Sequence, residues 1–308
     1  MHVYLPIAEM PVNVFLFLAL GGAIGFLSGL FGVGGGFLLT PMMIFLGIPP
    51  VVAVGTGAAH IVASSVSGAV TQYRKNNVDV RMGLVMLAGG IVGTIIGVET
   101  VRILRKAGLF DLVVSLSYVT FLTVIGSLMM AESANAWRKR RGGLSPQRRK
   151  PGQHSFVEKL PLKMRFQRSK LFISAIPPAI IGMFVAFMGA IMGIGGGFVV
   201  IPAMIYILRM PASVVVGTSL FQIVFVAALA TLLHAVLNKS VDVVLAMVLI
   251  AGGVIGAQFG SVAGDRLRGE QMRMMLASLV LIVAARMIFD LVSTPTETYS
   301  FGSSVQQQ

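Results

Sequence analysis

Two short runs, Gly34-Gly35-Gly36 and Gly195-Gly196-Gly197, interrupt apolar stretches of this chain. Glycine has no Cβ to shield its amide and tolerates positive φ. A helical apolar pattern begins directly after each run, near Phe37 and near Phe198. The first four N–H groups of a helix have no intrahelical acceptor, and the helix dipole places roughly half a positive charge at that end. Such an end holds oxyanions without a charged side chain. The chemistry to expect is recognition of an anion rather than its turnover. Pro41 and Pro202 follow near the end of the first turn, where a missing N–H costs least; a helix that began earlier would be kinked by them. The alternative is a purely structural hairpin whose amides are capped by neighbouring carbonyls.

Polar side chains follow each run. Thr56, His60, Ser64, Ser67 and Thr71 recur at three- and four-residue steps and so share one helix face; the matched segment offers Thr218, Gln222, Thr231 and His234. His60 aligns with Gln222, and either can donate a hydrogen bond. Polar groups at membrane depth usually point inward. Thr56, His60, Thr218 and Gln222 follow the glycines closely in both copies and read as donors to a substrate. Ser64, Ser67, Thr71, Thr231 and His234 read as hydrogen bonds between helices. His60 also has the chemistry of a proton carrier, although only one copy has it. Asp79 and Asp242 stand at equivalent positions before apolar segments, where a carboxylate caps a helix. Arg286 and Asp290 are four residues apart near a segment end, as an i,i+4 pair would be.

Other chemistries find little support. The chain has no cysteine, and its four histidines show no zinc spacing. Phosphate-loop, H-E-x-x-H and G-x-S-x-G motifs are absent. His60 and Ser64 lie one turn apart, a hint of an intramembrane serine hydrolase, but no acid accompanies them. The glycine runs resemble a dinucleotide fingerprint, yet lack the βαβ setting and the following acid. No cofactor and no metal are expected.

The elements that must position these residues are membrane helices. Of 308 residues, 56% are hydrophobic and 11% charged, with a mean hydropathy of +0.89. Those values fit a polytopic membrane protein and exclude an ordinary soluble globule. Apolar segments fall near 12–31, 37–48, 53–73, 80–101 and 109–131, then near 171–191, 198–208, 213–237, 241–263 and 272–290. The halves match segment for segment. Val78-Asp79-Val80 corresponds to Val241-Asp242-Val243, and Ala88-Gly89-Gly90 to Ala251-Gly252-Gly253. Segments 37–48 and 198–208 are about half the ~20 residues a crossing needs. Each reads, with its glycine run, as a re-entrant or broken helix facing the protein interior. Glycines spaced by four (Gly89, Gly93, Gly97; Gly252, Gly256, Gly260, Gly264; Gly21, Gly25, Gly29) predict flat grooves for close helix packing.

The formal net charge is +13, and twelve of the 24 Lys and Arg lie between Arg138 and Lys170. One basic loop between apolar blocks reads as positive-inside topology, not as a nucleic-acid surface. With that loop cytoplasmic and the broken pairs counted as re-entrant or as two crossings, each half crosses an odd number of times. The expectation is therefore an all-α integral membrane protein, a helical bundle of two inverted repeats; counting each pair as one crossing gives parallel repeats instead. The division is 1–131 for the first repeat, 132–170 for a basic cytoplasmic loop, 171–292 for the second repeat and 293–308 for a polar disordered tail. The stretch 138–170, with Pro146, Pro151 and Pro161, is expected to lack a fold; its Phe156, Leu160, Leu162 and Phe166, among Lys159, Lys163 and Arg165, suit an anionic lipid surface or a solvated linker. Val12–Phe31 reads as a retained span, since no basic n-region or cleavage site precedes it.

The duplicated pattern G-x-G-G-G-F-x-x-x-P, an apolar dozen, proline and V-G-T stands here as Gly32–Pro41 with Gly55-Thr56 and as Gly193–Pro202 with Gly217-Thr218. It resembles the sulfite exporter TauE/SafE family of bacterial membrane permeases, over roughly residues 13–290. The resemblance implies a multi-pass transporter of the cell inner membrane that moves sulfur-containing oxyanions or organosulfonates without ATP. Its partners would be a small sulfur-containing anion and the lipid bilayer. The chain departs from the family in its long basic loop and in Gly57, which stands where the second copy has Ser219 and where the family commonly carries a hydroxyl. A membrane scaffold docking a soluble partner through the basic loop is the competing class.

Overall fold

The computed structural model describes residues 2–31, 36–141, 161–169, 171–208, 210–264 and 269–292. Gly34, Gly35 and the tail 293–308 therefore lie outside the described residues, as does most of the basic stretch. The chain opens with an antiparallel hairpin of β1 (His2–Leu5) and β2 (Met10–Asn13). Helices α1 (Val14–Phe31), α2 (Gly36–Phe45), α3 (Pro50–Arg74), α4 (Val80–Lys106) and α5 (Phe110–Arg141) follow. The second half repeats the plan. It has a hairpin of β3 (Lys163–Phe166) and β4 (Leu171–Ser174), then α6 (Ile176–Met192), α7 (Gly197–Tyr206), α8 (Ala212–Leu233), α9 (Val243–Gly264) and α10 (Gly269–Val292). A five-residue π-helical stretch, His234–Asn238, extends α8.

Among the described residues seven helices are long and apolar enough to cross a membrane. Helix α6 has 17 residues, while α2 and α7 have 10 each. Ten residues span about 15 Å, half of a ~30 Å hydrocarbon core. The boundaries follow local chemistry. Proline at the first turn opens α3, and α4 starts at Asp79, whose side chain accepts from Met82 N–H. Helix α6 stops at Gly193, in the left-handed region with φ 68°.

The packing maps onto itself when the halves are exchanged. Helix α1 lies on α9 as α6 lies on α4; α3 meets α9 as α8 meets α4; α3 with α8 and α5 with α10 are self-paired. Glycines make the closest approaches possible. A Cβ on Gly89 or Gly93 would run into α6 carbonyls, and one on Gly252, Gly256 or Gly260 would run into α1 carbonyls. This is the close packing that the four-residue spacing predicts.

Two expectations change. The stretch expected to lack a fold is ordered in part. Helix α5 continues to Arg141, and Phe166, Leu171 and Ile173 of the second hairpin are buried against Met82, Met86 and Ile181. That apolar side of the hairpin supplies the folding energy. Helices α2 and α7 also begin at Gly36 and Gly197, one residue earlier than expected. Pro41 and Pro202 are thus the sixth helical residues and sit inside the helix. Each leaves the carbonyl four residues before it, Phe37 or Phe198, without an intrahelical donor.

Candidate functional site

The second glycine break is the better described of the two. Gly193, Gly195 and Gly196 all have positive φ, at 68°, 68° and 78°. The amides of Val199 and Val200 turn back onto the Gly196 carbonyl at 3.1 and 2.9 Å. No side chain caps the start of α7. Gly36 and Gly195–Gly197 are all buried. The break is held by groups from the first half. Thr40 Oγ1 donates to Gly193 O at 3.3 Å, and the Tyr118 hydroxyl donates to Met192 O. Both bonds occupy carbonyls; of the amides at the break, Gly193 N–H donates to Gly189 O at 2.8 Å.

Phe37 and Phe198, the second residues of α2 and α7, stack with ring centroids 4.8 Å apart and planes 15° from parallel. The stack brings the N-terminal turns of the two short helices together. Ile61 lies against both breaks. A Cβ on Gly195 would come within 2.6 Å of Ile61 Cγ2, and one on Gly36 would collide with Ile61 Cδ1. Ile61 packs with its repeat counterpart Ile223 and with Ala227. The Gly57 departure also has a spatial reading. The Thr40 hydroxyl lies 3.0 Å from where a Gly57 Cβ would be. Hydroxyls thus stand on both sides, from Thr40 in one half and Ser219 in the other, the latter bonded to Val216 O at 3.0 Å.

Thr56 and Thr218 are brought to a different task from the glycines. Thr56 Oγ1 accepts from Asp242 N–H at 3.0 Å, and Thr218 Oγ1 accepts from Asp79 N–H at the same distance. Each threonine latches the start of a helix in the other half. The adjacent glycine makes room: a Cβ on Gly55 would meet the Ser240 carbonyl at 2.8 Å, and one on Gly217 would collide with the Asn77 carbonyl. The carboxylates extend the latch. Asp79 Oδ2 accepts from Ser169 N and Oγ at 2.9 and 2.8 Å, tying down the second hairpin. Asp242 Oδ2 accepts from Ile7 N at 3.0 Å, tying down the first. Used as acceptors, both threonine hydroxyls keep a hydrogen to donate.

His60 and Gln222 are one residue before Ile61 and Ile223, and both are buried. Neither ring nitrogen of His60 has a hydrogen-bond partner, nor has Gln222 Oε1. The His60 ring lies on the α9 backbone at Gly253, where any Cβ would collide with Nε2. Gln222 lies in the matching place, with Nε2 3.3 Å from where a Gly90 Cβ would be. Buried polar atoms without partners are uncommon in native proteins. Those of His60 and Gln222 occupy corresponding positions of the two halves; Ser65 Oγ and Ser240 Oγ also lack partners.

The residues expected to join helices behave otherwise. Ser64, Thr71 and Thr231 bond back to carbonyls of their own helices, Ile61, Ser67 and Ala227. A nearby carbonyl three or four residues back is the shortest route to satisfaction for a hydroxyl. His234 does join helices, through Ala190 O at 3.0 Å. Arg286 pairs with Asp290 at 2.7 Å, and both side chains are exposed. Helices α1, α2 and α6–α9 contain no Asp, Glu, Lys or Arg. Among the described residues no cluster of three His, Asp or Glu side chains could hold a metal. Sequence reasoning missed the Phe37–Phe198 stack, Thr40 and Tyr118. The duplicated phenylalanine after each glycine run was the available signal for the first.

The sulfite exporter TauE/SafE family model matches residues 17–287. The chain belongs to the sulfite exporter TauE/SafE family. Three relatives match over nearly their whole length. "Probable membrane transporter protein YunE" of Bacillus subtilis (strain 168) is 22% identical over 293 residues, covering 89% of this chain and 97% of its own. A "Probable membrane transporter protein" of Xylella fastidiosa (strain 9a5c) is 26% identical over 273 residues, covering 87% and 92%. "Probable membrane transporter protein YjnA" of Bacillus subtilis (strain 168) is 26% identical over 282 residues, covering 91% and 100%. No solved structure matches at a significant level. This member of the TauE/SafE family is a multi-pass, all-α membrane protein, and its family is one of membrane transporters.

Proposed function

We propose that this chain carries small sulfur-containing anions, such as sulfite or organosulfonates, across a cell inner membrane by alternating access and without ATP. The observation that carries the reading is the meeting of the N-terminal turns of α2 and α7 across the Phe37–Phe198 stack, with no side chain capping α7. The anion would be held by amides of Gly34–Gly36 and Gly195–Gly197, with hydrogen bonds from Thr56, His60, Thr218 and Gln222. Dipoles and hydroxyls desolvate an anion without a fixed cation. Binding of that kind is weak enough to permit release. A hydrolase is disfavoured, since no acid lies within hydrogen-bond reach of His60 among the described residues.

The halves act as inverted repeats in this reading, and the two latches support it. Thr56 near the start of α3 meets the start of α9. Thr218, its counterpart near the start of α8, meets the start of α4. Helix α3 runs on from Thr56 to Arg74 before α4 begins, which at ~1.5 Å per residue separates the two latches by about 27 Å. Equivalent ends of α3 and α8 would then face opposite sides of the membrane. One side carries Arg74, Lys75, Arg81, Lys163, Arg165 and Arg168 around the second hairpin, and this side is taken as cytoplasmic. A repeat rocking against its inverse would open the site alternately, and the segment 132–170 would link them on the cytoplasmic side.

The test is a binding screen of sulfite, thiosulfate, sulfate, taurine and isethionate on purified protein, followed by flux in proteoliposomes. Saturable binding and flux of at least one sulfur oxyanion or sulfonate is the expected result. A fully folded protein that binds none of them, with a soluble protein captured by the basic stretch instead, would replace the transporter by a scaffold.

A further inference from the structure

We propose that His60 makes anion transport proton-linked, so that a proton crosses with the anion. The inference rests on the anion-transport reading above and adds a second transported species to it. The two halves are alike at nearly every contact that matters: Thr56 with Thr218, Asp79 with Asp242, Phe37 with Phe198, Ile61 with Ile223. At His60 and Gln222 the chemistry differs, as it also does at Gly57 and Ser219. Gln222 is an amide and does not titrate; His60 is an imidazole and does.

His60 is fully buried, and both ring nitrogens lack partners. A structural histidine at this depth would hold at least one acceptor, as His234 holds Ala190 O and Asn238. His60 instead keeps both positions open, one for a proton and one to give a hydrogen bond. The helices packed most closely on α3 are α1, α2, α5, α6, α8 and α9. Of these, α1, α2, α6, α8 and α9 bring no Asp, Glu, Lys or Arg. Helix α5 brings Tyr118, already committed to Met192 O, and carries its charges toward its ends, at Asp111 and from Glu132 on. Asp242, just before α9, is spent on the amides of Ile7, Val244 and Leu245. Among the described residues no charge is therefore positioned to balance either an imidazolium or an anion at this depth.

That absence couples the two ligands. An anion alone and a proton alone each bury an unbalanced charge, which is costly in low dielectric. Taken together they form a neutral, hydrogen-bonded pair. One imidazole nitrogen of His60 takes a proton from water on the side where the site is open, and the anion docks beside it. After the repeats rock, the same N–H bond breaks, the proton returns to water on the other side and the anion leaves. The hydronium O–H bond that gives the proton breaks as the N–H bond forms and is re-formed on a water at release; no other bond changes. For a monoanion the cycle is electrically silent and answers to the pH gradient. Gly253 fits this role: it is the space its missing side chain leaves that admits the His60 ring.

The test uses the full-length protein in liposomes loaded with a pH-sensitive dye and with the membrane potential clamped. The probes are isethionate and thiosulfate, chosen because neither titrates between about pH 5 and 8, where imidazole does. The wild type should acidify the compartment that receives the anion, with about one proton per isethionate. His60→Gln copies the residue the other half already uses at this position. It should move isethionate more slowly, because the anion now crosses unbalanced, and the flux that remains should carry no coupled proton and show no acceleration by a pH gradient. Gln222→His supplies a second imidazole without touching the first and should raise the ratio toward two. Isethionate flux with no proton movement in the wild type, or unchanged coupling in a folded His60→Gln protein, overturns the inference and leaves the transporter reading intact. If His60→Gln does not fold, an unchanged ratio in Gln222→His overturns it. Absence of flux for every anion in the screen would remove the transporter reading itself, and this inference with it.

Discussion

Asp79→Asn should release the second hairpin while leaving the helix cap in place. The Asp79 carboxylate takes three hydrogen bonds: Met82 N at 3.2 Å on Oδ1, and Ser169 N and Oγ at 2.9 and 2.8 Å on Oδ2. Asparagine preserves the acceptor that faces Met82. Its amide group replaces Oδ2 and cannot accept from the Ser169 N–H, which is then orphaned in a buried place. Losing a hydrogen bond to a charged group costs about 1.5–3 kcal/mol. The Ser169 hydroxyl can turn to accept from the new amide, so its bond falls from charge-assisted to neutral, about 1 kcal/mol less. The total is about 2.5–4 kcal/mol against hairpin docking. At about 1.4 kcal/mol per decade, this is roughly a 60- to 700-fold rise in the undocked population. Hydrogen exchange of the Ser169 amide reads that population directly. Exchange should accelerate by that factor, with the amides in the middle of α4 unchanged. Acceleration below about threefold would mean the hairpin is held by Phe166, Leu171 and Ile173 alone and the carboxylate is dispensable.

The mirror change, Asp242→Asn, should free the first hairpin alike, but with one Oδ2 bond at stake its effect on Ile7 exchange should be about 1.5–3 kcal/mol. Gly196→Val should lower the yield of monodisperse protein in detergent before transport is ever tested, because φ is 78° and a Cβ would stand 2.5 Å from Val185 Cγ1; wild-type yield would contradict the strained turn. Arg286→Gln should leave anion affinity within about twofold, since its exposed pair with Asp290 is worth at most about 1 kcal/mol; loss of binding in folded protein would make Arg286 the counter-charge and refute a site built on dipoles. Phe37→Ala and Phe198→Ala should each cost about 3–5 kcal/mol of stability, with a coupling of about 0.5–1.5 kcal/mol in a double-mutant cycle for the stacked pair.

What could be read from the chain without coordinates was whatever depends on near neighbours. Helix lengths follow hydropathy, and Asp79 announces its cap because Met82 is three residues away. The four-residue glycine spacing announces a groove, although not which helix fills it. What stays hidden is long-range. Nothing near Thr56 in sequence announces the amide its hydroxyl accepts from, that of Asp242, 186 residues distant. The hairpin at Lys163–Phe166 was hidden because four-residue strands carry little period-two signal, and a basic, proline-containing stretch surrounds it. The hydroxyls of Ser64, Thr71 and Thr231 had two routes to satisfaction, and the pattern alone does not choose between a neighbour and the helix's own backbone.

The exchanged hairpins set a timetable for biogenesis. The Ile7 amide finds its acceptor 235 residues later, at Asp242. At roughly 5–20 residues per second, the first hairpin waits about 12 to 47 s after leaving the ribosome before that bond can close. The corresponding bond from Asp79 to Ser169 spans 90 residues and closes within about 5 to 18 s. Helix α1 waits as well, its glycine face bare until α9 arrives. Helices cannot be settled one by one as they enter the bilayer; the first half must be kept open, and shielded from other chains, until most of the second has been made.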